Sequence, residues 1–162
     1  MAARSRAGFT LIEVLVVIAV IAIAAGFVVA NLEGDDRKSV EREGARLAGA
    51  LEHAAALAQW RSETLGFSAD GPGYRFWRRG SDNRWSALSD EDVLAARALP
   101  AEWSVWSITY AGAPVAPNVI VPFRPSGRNE PYALALSSPV WTLIVAADPL
   151  NRVQVAAPTA SR

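Results

Sequence analysis

The stretch "RAGFTLIEVLVVIAVIAIAAG", residues 6–26, sets one carboxylate, Glu13, at the edge of an otherwise uncharged apolar run. From Val14 to Leu32 there are 19 residues without a charge. As a helix this run spans roughly 28 Å, about the thickness of the hydrocarbon core of a bilayer. Leu, Ile, Val and Ala cover every face, and a helix that is apolar all round is buried in protein or in lipid. In so small a chain, the pattern predicts a transmembrane helix.

The charges on either side of the apolar run predict its orientation. Arg4 and Arg6 precede it, whereas the segment 33–38 that follows it carries charges of both signs. Positive charge favours the cytoplasmic side of a membrane. We therefore expect the amino terminus inside the cell, and the residues from about Glu33 onward outside it, as a periplasmic or exposed domain.

The sequence around the start of the run, Gly8-Phe9-Thr10-Leu11-Ile12-Glu13, resembles the class III signal of type IV pilin-like proteins. The glycine, the phenylalanine, the acid four residues later and the long apolar run are all in register with that signal. The resemblance implies that a membrane prepilin peptidase cuts between Gly8 and Phe9 and methylates the new amino terminus at Phe9. Residues 1–8 would then be a leader peptide, and 9–32 the transmembrane helix of a single-pass protein of the bacterial inner membrane, with a cytoplasmic amino terminus and a periplasmic carboxyl-terminal domain.

Glu13 is the expected assembly residue. An ionised carboxylate in hydrocarbon is costly unless it is paired. After cleavage the cationic amine of Phe9 lies four residues away, about one helical turn, so Glu13 can pair with its own amine or with that of a neighbouring subunit. The resemblance implies the pair between subunits, which would fix their stagger, because a buried charge left alone costs about 3–5 kcal/mol. The alternative is that Glu13 reaches the lipid headgroups.

No proline occurs before Pro72, so the helix can continue as a periplasmic stem over 33–66, ending near Gly66. Apolar residues at helical spacing predict its packed face: Val40, Leu47, Leu51, Ala54 and Ala58. Charged residues mostly fill the opposite face: Arg37, Glu41, Arg42, Glu43, Arg46 and Glu52.

The carboxyl-terminal hundred residues contain all ten prolines and many short apolar runs separated by turn residues, which is typical of β-structure. The predicted strands are 65–69, 74–79, 84–88, 103–110, 118–123, 132–136, 140–146 and 152–156. A short helix over Asp90–Leu99, capped by Ser89, is also predicted. The expected fold class is α+β: a long amino-terminal transmembrane helix followed by an antiparallel β-sandwich at 67–162, as in pilins.

Three segments of this domain resemble the GspH-type minor pseudopilins of type II secretion: "GYRFWRRGSDNRWSALSDEDVLAARALP", "IVPFRPSGRNEPYALAL" and "WTLIVAADPLNRV". The resemblance implies a subunit at the tip of the fibre that drives folded proteins across the outer membrane. Its implied partners are the prepilin peptidase, the major pseudopilin GspG and the minor pseudopilins GspI, GspJ and GspK. Retention of Glu13 argues against the GspK class, and one carboxylate in 148–162 is too few for the calcium loop of a major pseudopilin.

The alternative within the family is a minor type IV pilin of the FimT or FimU kind, serving pilus assembly or DNA uptake. Those proteins often carry a carboxyl-terminal disulfide, and this chain has no cysteine. A membrane-anchored periplasmic enzyme or binding module is the alternative from another class, and it requires a deep polar pocket in the β-domain.

Composition argues against catalysis, metals and cofactors. There is no cysteine and a single histidine, His53, and no phosphate-loop, metal or nucleophile motif occurs. We therefore expect no enzyme activity, no metal site and no cofactor, and His53 is expected to be a packed or surface imidazole. Four tryptophans are expected to be core or subunit-contact residues: Trp60, Trp103, Trp106 and Trp141.

Arginines alternate with aromatic residues between positions 74 and 85, a mixture that can bind single-stranded nucleic acid. The arginines are Arg75, Arg78, Arg79 and Arg84, and the aromatic residues are Tyr74, Phe76, Trp77 and Trp85. Basic and acidic residues balance at 16 each, so the chain as a whole does not favour nucleic acid. We therefore predict a hairpin whose aromatic residues face the core and whose arginines face water.

Overall fold

The structure is a computed structural model that describes residues 11–89 and 91–161, apart from the side chains of 27–35. The chain divides into two compact units, with the boundary between Lys38 and Ser39. Within the described ranges there is one α-helix, α1, over Leu11–Arg61, and one 3₁₀ turn over Asp92–Leu94. The described strands are β1 (Leu65–Ala69), β2 (Gly73–Arg79), β3 (Trp85–Ala87), β4 (Arg97–Ala98), β5 (Ser104–Tyr110), β6 (Ala113–Val115), β7 (Val121–Phe123), β8 (Tyr132–Ser137), β9 (Trp141–Ala147), β10 (Val153–Val155) and β11 (Thr159–Ala160).

The strands form two sheets, and every pairing between the described strands is antiparallel. The first sheet has the order β3-β2-β1-β7, with β4 also pairing with β2. The second has the order β10-β9-β8-β5-β6, with β11 also pairing with β9. The arrangement confirms the predicted pilin-like α+β fold, in which antiparallel sheets follow a long helix.

A single hydrophobic core joins the carboxyl-terminal part of α1 to both sheets. The predicted packed face of the stem is confirmed, because all five of its residues are fully buried: Val40, Leu47, Leu51, Ala54 and Ala58. The first sheet contributes Leu65, Phe67, Phe76 and Phe123, and the second contributes Leu134, Leu136, Leu143 and Val145. Helical spacing in the stem and alternation in the strands therefore converge on one interior.

The stem packs closely on the second sheet at Gly44. A Cβ placed on Gly44 would overlap Cδ2 of Leu143 and would lie 3.3 Å from Cγ1 of Val155. Gly44 costs helix propensity, but it allows the backbone of α1 to lie directly against this side chain.

The helix ends earlier than predicted, at Arg61 rather than near Gly66. Ser62 adopts a left-handed backbone with φ 55°, and its amide and that of Glu63 donate to the carbonyls of Gln59 and Ala58. These bonds satisfy carbonyls at the end of the helix and turn the chain away from its axis. Strand β1 can therefore begin at Leu65.

The predicted helix over Asp90–Leu99 is wrong. Among the described residues this segment has only the 3₁₀ turn, which has no side-chain cap, followed by β4 on β2. Full burial of Leu94 and pairing of Arg97 with Tyr74 outweigh the local helical signals. The eight predicted strands are all present within a few residues, whereas β4, β6 and β11 were not predicted.

Candidate processing and assembly segment

The predicted processing residues Gly8 and Phe9 lie outside the described residues. Glu13 lies in the described part of α1, and its side chain is exposed.

The apolar side chains that follow Glu13 are exposed in the described chain. Every large apolar residue from Leu11 to Ile23 exposes at least 46% of its surface. These residues are Leu11, Ile12, Val14, Leu15, Val16, Val17, Ile18, Val20, Ile21 and Ile23. A contiguous apolar surface of this length marks a contact with lipid or with other proteins. Across the described residues, no helix has both the length and the apolar character required for crossing a membrane.

A buried ion pair holds the 91–98 segment against the stem. The Nε and NH2 groups of Arg97 donate to the two carboxylate oxygens of Glu43 at 2.6 and 3.0 Å, and Glu43 is only 8% exposed. The hydrogen bond that Arg97 donates to the carboxylate of Glu43 raises the pKa of Arg97. A second pair, between Arg61 and Glu91 at 2.5 Å, lies farther along the same helix. An ion pair therefore links each end of the 91–98 segment to α1.

The prediction that Glu43 lies on the charged face of the stem is wrong. It lies three residues after Val40 and four before Leu47, both of which are fully buried. This spacing puts Glu43 on the packed face, where a carboxylate requires a partner. The helical spacing alone was therefore a signal for a buried ion pair, although it did not identify Arg97.

A cleft of about 380 Å³ lies between the stem and the 91–98 segment. Its lining residues are Arg46, Ala50, Tyr74, Asp92, Val93, Ala95, Ala96 and Arg97. Burial, with a further contribution from Glu43, raises the pKa of Tyr74 above its ordinary value. The described lining of this cleft contains no serine, cysteine or histidine, so it does not hold a serine or cysteine nucleophile beside a histidine base.

The predicted hairpin is confirmed, but its aromatic residues divide between two faces. Tyr74 and Phe76 are buried and pack on Phe67 with ring centroids 6.0 and 5.5 Å away. Trp77 and Trp85 are only half-buried. Because residues alternate along β2, Trp77 lies on the opposite face from Phe76. The prediction that all the aromatic residues face the core is therefore wrong for the tryptophans.

The remaining tryptophans and His53 have mixed surroundings. Trp103 and Trp141 pack against the core, whereas Trp60 and Trp106 expose 82% and 64% of their surfaces. Core packing is therefore confirmed for two of the four tryptophans, and a contact with another subunit stays a prediction for the exposed two. His53 is half-buried on the stem, and the described residues contain no cluster of acidic, histidine or cysteine side chains suited to a metal ion.

Comparison with known proteins identifies the amino-terminal segment. Residues 3–29 match the prokaryotic N-terminal methylation motif. This match confirms the predicted class III signal and covers Gly8, Phe9 and Glu13. No curated protein matches the chain in sequence.

The fold is similar to solved structures of minor pseudopilins. A crystal structure of the minor pseudopilin EpsH from the type II secretion system of Vibrio cholerae matches with a TM-score of 0.61 and 15% identity, covering 78% of this chain and 99% of that one. A second structure of EpsH has a TM-score of 0.57, also at 15% identity, covering 72% of this chain and 95% of that one. The solution structure of Escherichia coli GspH has a TM-score of 0.52 and 18% identity, covering 75% and 90%. The chain therefore has the fold of these minor pseudopilins and begins with a methylation motif.

Proposed function

We propose that this protein is a GspH-type minor pseudopilin of a type II secretion system. The observation that carries the proposal is the joint occurrence of two features in one chain: the N-terminal methylation motif at 3–29 and a β-domain with the EpsH and GspH fold. The motif supports processing and membrane insertion as a pilin-like protein. The fold supports the minor pseudopilin class.

The proposed life cycle begins at the inner membrane. The prepilin peptidase removes residues 1–8 and methylates the amine of Phe9, while the apolar segment anchors the chain with its amino terminus inside. Arg4 and Arg6 support this orientation. The β-domain then lies in the periplasm, where it can meet other subunits.

Glu13 is the proposed assembly residue. When helices pack side by side in a fibre, its carboxylate pairs with the methylated but still cationic amine of a neighbouring subunit. The apolar side chains around it have no comparable preference for one axial position, so the ion pair selects the stagger. The proposed neighbours are GspG, GspI, GspJ and GspK.

The proposed role is mechanical rather than catalytic. The subunit helps to form or cap the tip of a fibre that drives folded proteins across the outer membrane. The firm attachment of the 91–98 segment by the Glu43–Arg97 pair supports this role, because a subunit that transmits force needs a domain that does not slide on its stem.

The test is complementation of a deletion strain of the native host with tagged full-length variants. Glu13→Val should be cleaved as efficiently as the wild type, since Gly8 is intact, but should fail to enter the fibre and to restore release of secreted proteins. Gly8→Lys should stay unprocessed, giving an unshifted band on a gel. Glu102→Gln, at an exposed residue of the β-domain, is the matched control and should restore secretion.

Two outcomes would contradict the proposal. Normal incorporation of Glu13→Val into the fibre would remove the role assigned to the ion pair. If deletion abolishes DNA uptake or pilus-dependent motility while secretion continues, the protein is a minor type IV pilin of the FimT or FimU kind.

A further inference from the structure

The outer face of the first sheet carries two arginine–tryptophan stacks. The guanidinium carbon of Arg75 lies 5.8 Å from the ring centroid of Trp77, and that of Arg79 lies 5.8 Å from the ring centroid of Trp85. Both distances are within the range of cation–π attraction. Arg75, Trp77 and Arg79 alternate along β2, and Trp85 is the cross-strand partner of Arg79, so all four side chains share one face. We call these four residues the Arg–Trp face.

Small residues of β1 hold the two indoles in place. The indole N–H of Trp77 donates to Oγ of Ser68 at 2.8 Å. The ring of Trp85 packs against Gly66, where an added Cβ would lie 3.0 Å from Cζ3 of the indole. Arginines that stack on fixed rings have already lost part of their rotamer freedom, which lowers the entropic cost of ordering them in a complex.

The charge on this face is only partly compensated within the chain. Arg75 has Asp70 as its ion-pair partner at 3.9 Å, and 47% of its side chain is exposed. Arg79 is exposed and forms no ion pair within 4 Å with any carboxylate in the described ranges. By contrast, Arg84 lies beside Asp82, with 3.7 Å between nitrogen and oxygen. The uncompensated charge therefore lies at Arg79, next to a tryptophan.

The chemistry of the face suits carboxylates better than nucleic acid bases. Each indole already has a guanidinium against its ring, which leaves less ring surface for base stacking. The outward edges of the guanidinium groups present N–H donors in the fork that matches a carboxylate. Tryptophan and arginine are also the residue types that dominate the energetic centres of protein–protein interfaces.

The spacing of the two arginines defines the partner further. Arg75 and Arg79 are four residues apart on an extended strand, which separates their Cα atoms by roughly 13 Å. We propose that the Arg–Trp face binds an acidic segment of another protein, in which two carboxylates with this spacing meet Arg75 and Arg79. A small apolar side chain between them contacts the part of Trp77 that Arg75 leaves uncovered. The inference goes beyond the proposed secretion role, because it depends only on the β-domain surface.

The test measures binding of a defined peptide to the full-length protein in detergent micelles. The probe is a fluorescent peptide of extended conformation with two glutamates four positions apart and a valine midway between them. We expect the wild type to bind it, and Arg79→Gln to raise the dissociation constant about tenfold, as expected for the loss of one charge-assisted contact. Arg84→Gln is the matched control and should change it less than about twofold, since Arg84 already has an acidic neighbour and stacks on neither indole.

Specific outcomes would overturn the inference. They are failure of the wild type to bind the peptide, equal binding of a peptide with glutamine in place of both glutamates, or equal effects of the Arg79 and Arg84 substitutions. Tighter binding of single-stranded oligothymidine, lost on substitution of Arg79, would also overturn it and assign the face to nucleic acid. Leader cleavage and secretion by Arg79→Gln are measured in parallel, so that a failure here is distinguishable from a failure of the proposed function.

Discussion

Replacing Gly44 or Gly49 by alanine adds the same methyl group to the same helix in two different surroundings. At Gly49 an added Cβ has no atom within 4 Å, and the position is exposed. At Gly44 it would overlap Leu143, whose side chain is 1% exposed, and approach Val155. Comparing the stabilities of the two variants therefore separates the effect of helix propensity from the effect of close packing on the second sheet.

The magnitudes follow from two opposing effects. Alanine in place of glycine inside a helix stabilises by about 1 kcal/mol. An extra methyl group in a tightly packed core costs about 1–3 kcal/mol. Because Leu143 is buried, its side chain cannot relieve the overlap by turning toward solvent. Gly49→Ala should therefore gain about 1 kcal/mol, whereas Gly44→Ala should range from neutral to a loss of about 2 kcal/mol.

The assay is urea unfolding of the full-length protein in detergent, followed by tryptophan fluorescence. The free energy of unfolding should differ between the two variants by about 1–3 kcal/mol at equal m-values. In a Leu143→Ala background the penalty at Gly44 should disappear, because the overlapping methyl is gone. Equal stabilisation by both alanines, with no coupling to Leu143, would refute the close contact between stem and sheet.

Three further changes probe the ion pairs and loops by the same unfolding assay. Arg97→Met should cost about 3 kcal/mol, since it leaves the carboxylate of Glu43 buried without a partner; a loss near zero would contradict this. The pKa of Asp148 is lowered, first by the backbone amide of Arg152, so its contribution is present above pH 3.8 and is lost as pH falls below that value. Asp148→Asn should therefore reduce the loss of unfolding free energy at acidic pH, and an unchanged pH dependence would refute this assignment. Asn151→Ala should destabilise more than Asn151→Gly, because glycine tolerates the φ of 61° found there; the reverse order would contradict this.

Periodic segments were the most predictable part of the fold. The buried face of the stem follows from the spacing of Val40, Leu47 and Leu51, and the main strands follow from alternation between turn residues. These elements have many residues that favour the same conformation. Their local preference and their burial in the core agree, so sequence reasoning succeeds for them.

Segments whose conformation depends on distant partners were not predictable. Residues 91–98 have helical local signals, but Arg97 extends toward Glu43, more than fifty residues earlier in the chain. The strands of two or three residues, β4, β6 and β11, have too little pattern of their own to detect. The outward position of Trp77, by contrast, was predictable from alternation alone, because the adjacent Phe76 and Trp77 occupy opposite faces of the strand and only one of them can face the core.

The processing signal, by contrast, could be predicted from the sequence alone, because all of its residues are close together in the chain. The methylation motif at 3–29 confirms the signal, and the cleavage between Gly8 and Phe9 is a prediction from it. The proposed processing and assembly depend on residues that are close together in the sequence: Gly8 at the proposed cut, Phe9 with its proposed new amine, and Glu13 one helical turn away.

Intact-mass measurement of the protein purified from its native host tests this account most directly. The account predicts a mature chain that comprises residues 9–162 and is heavier by one methyl group on the amine of Phe9. A chain that still begins at Met1, or one cut after the apolar segment, would contradict both the proposed anchoring and the role of Glu13.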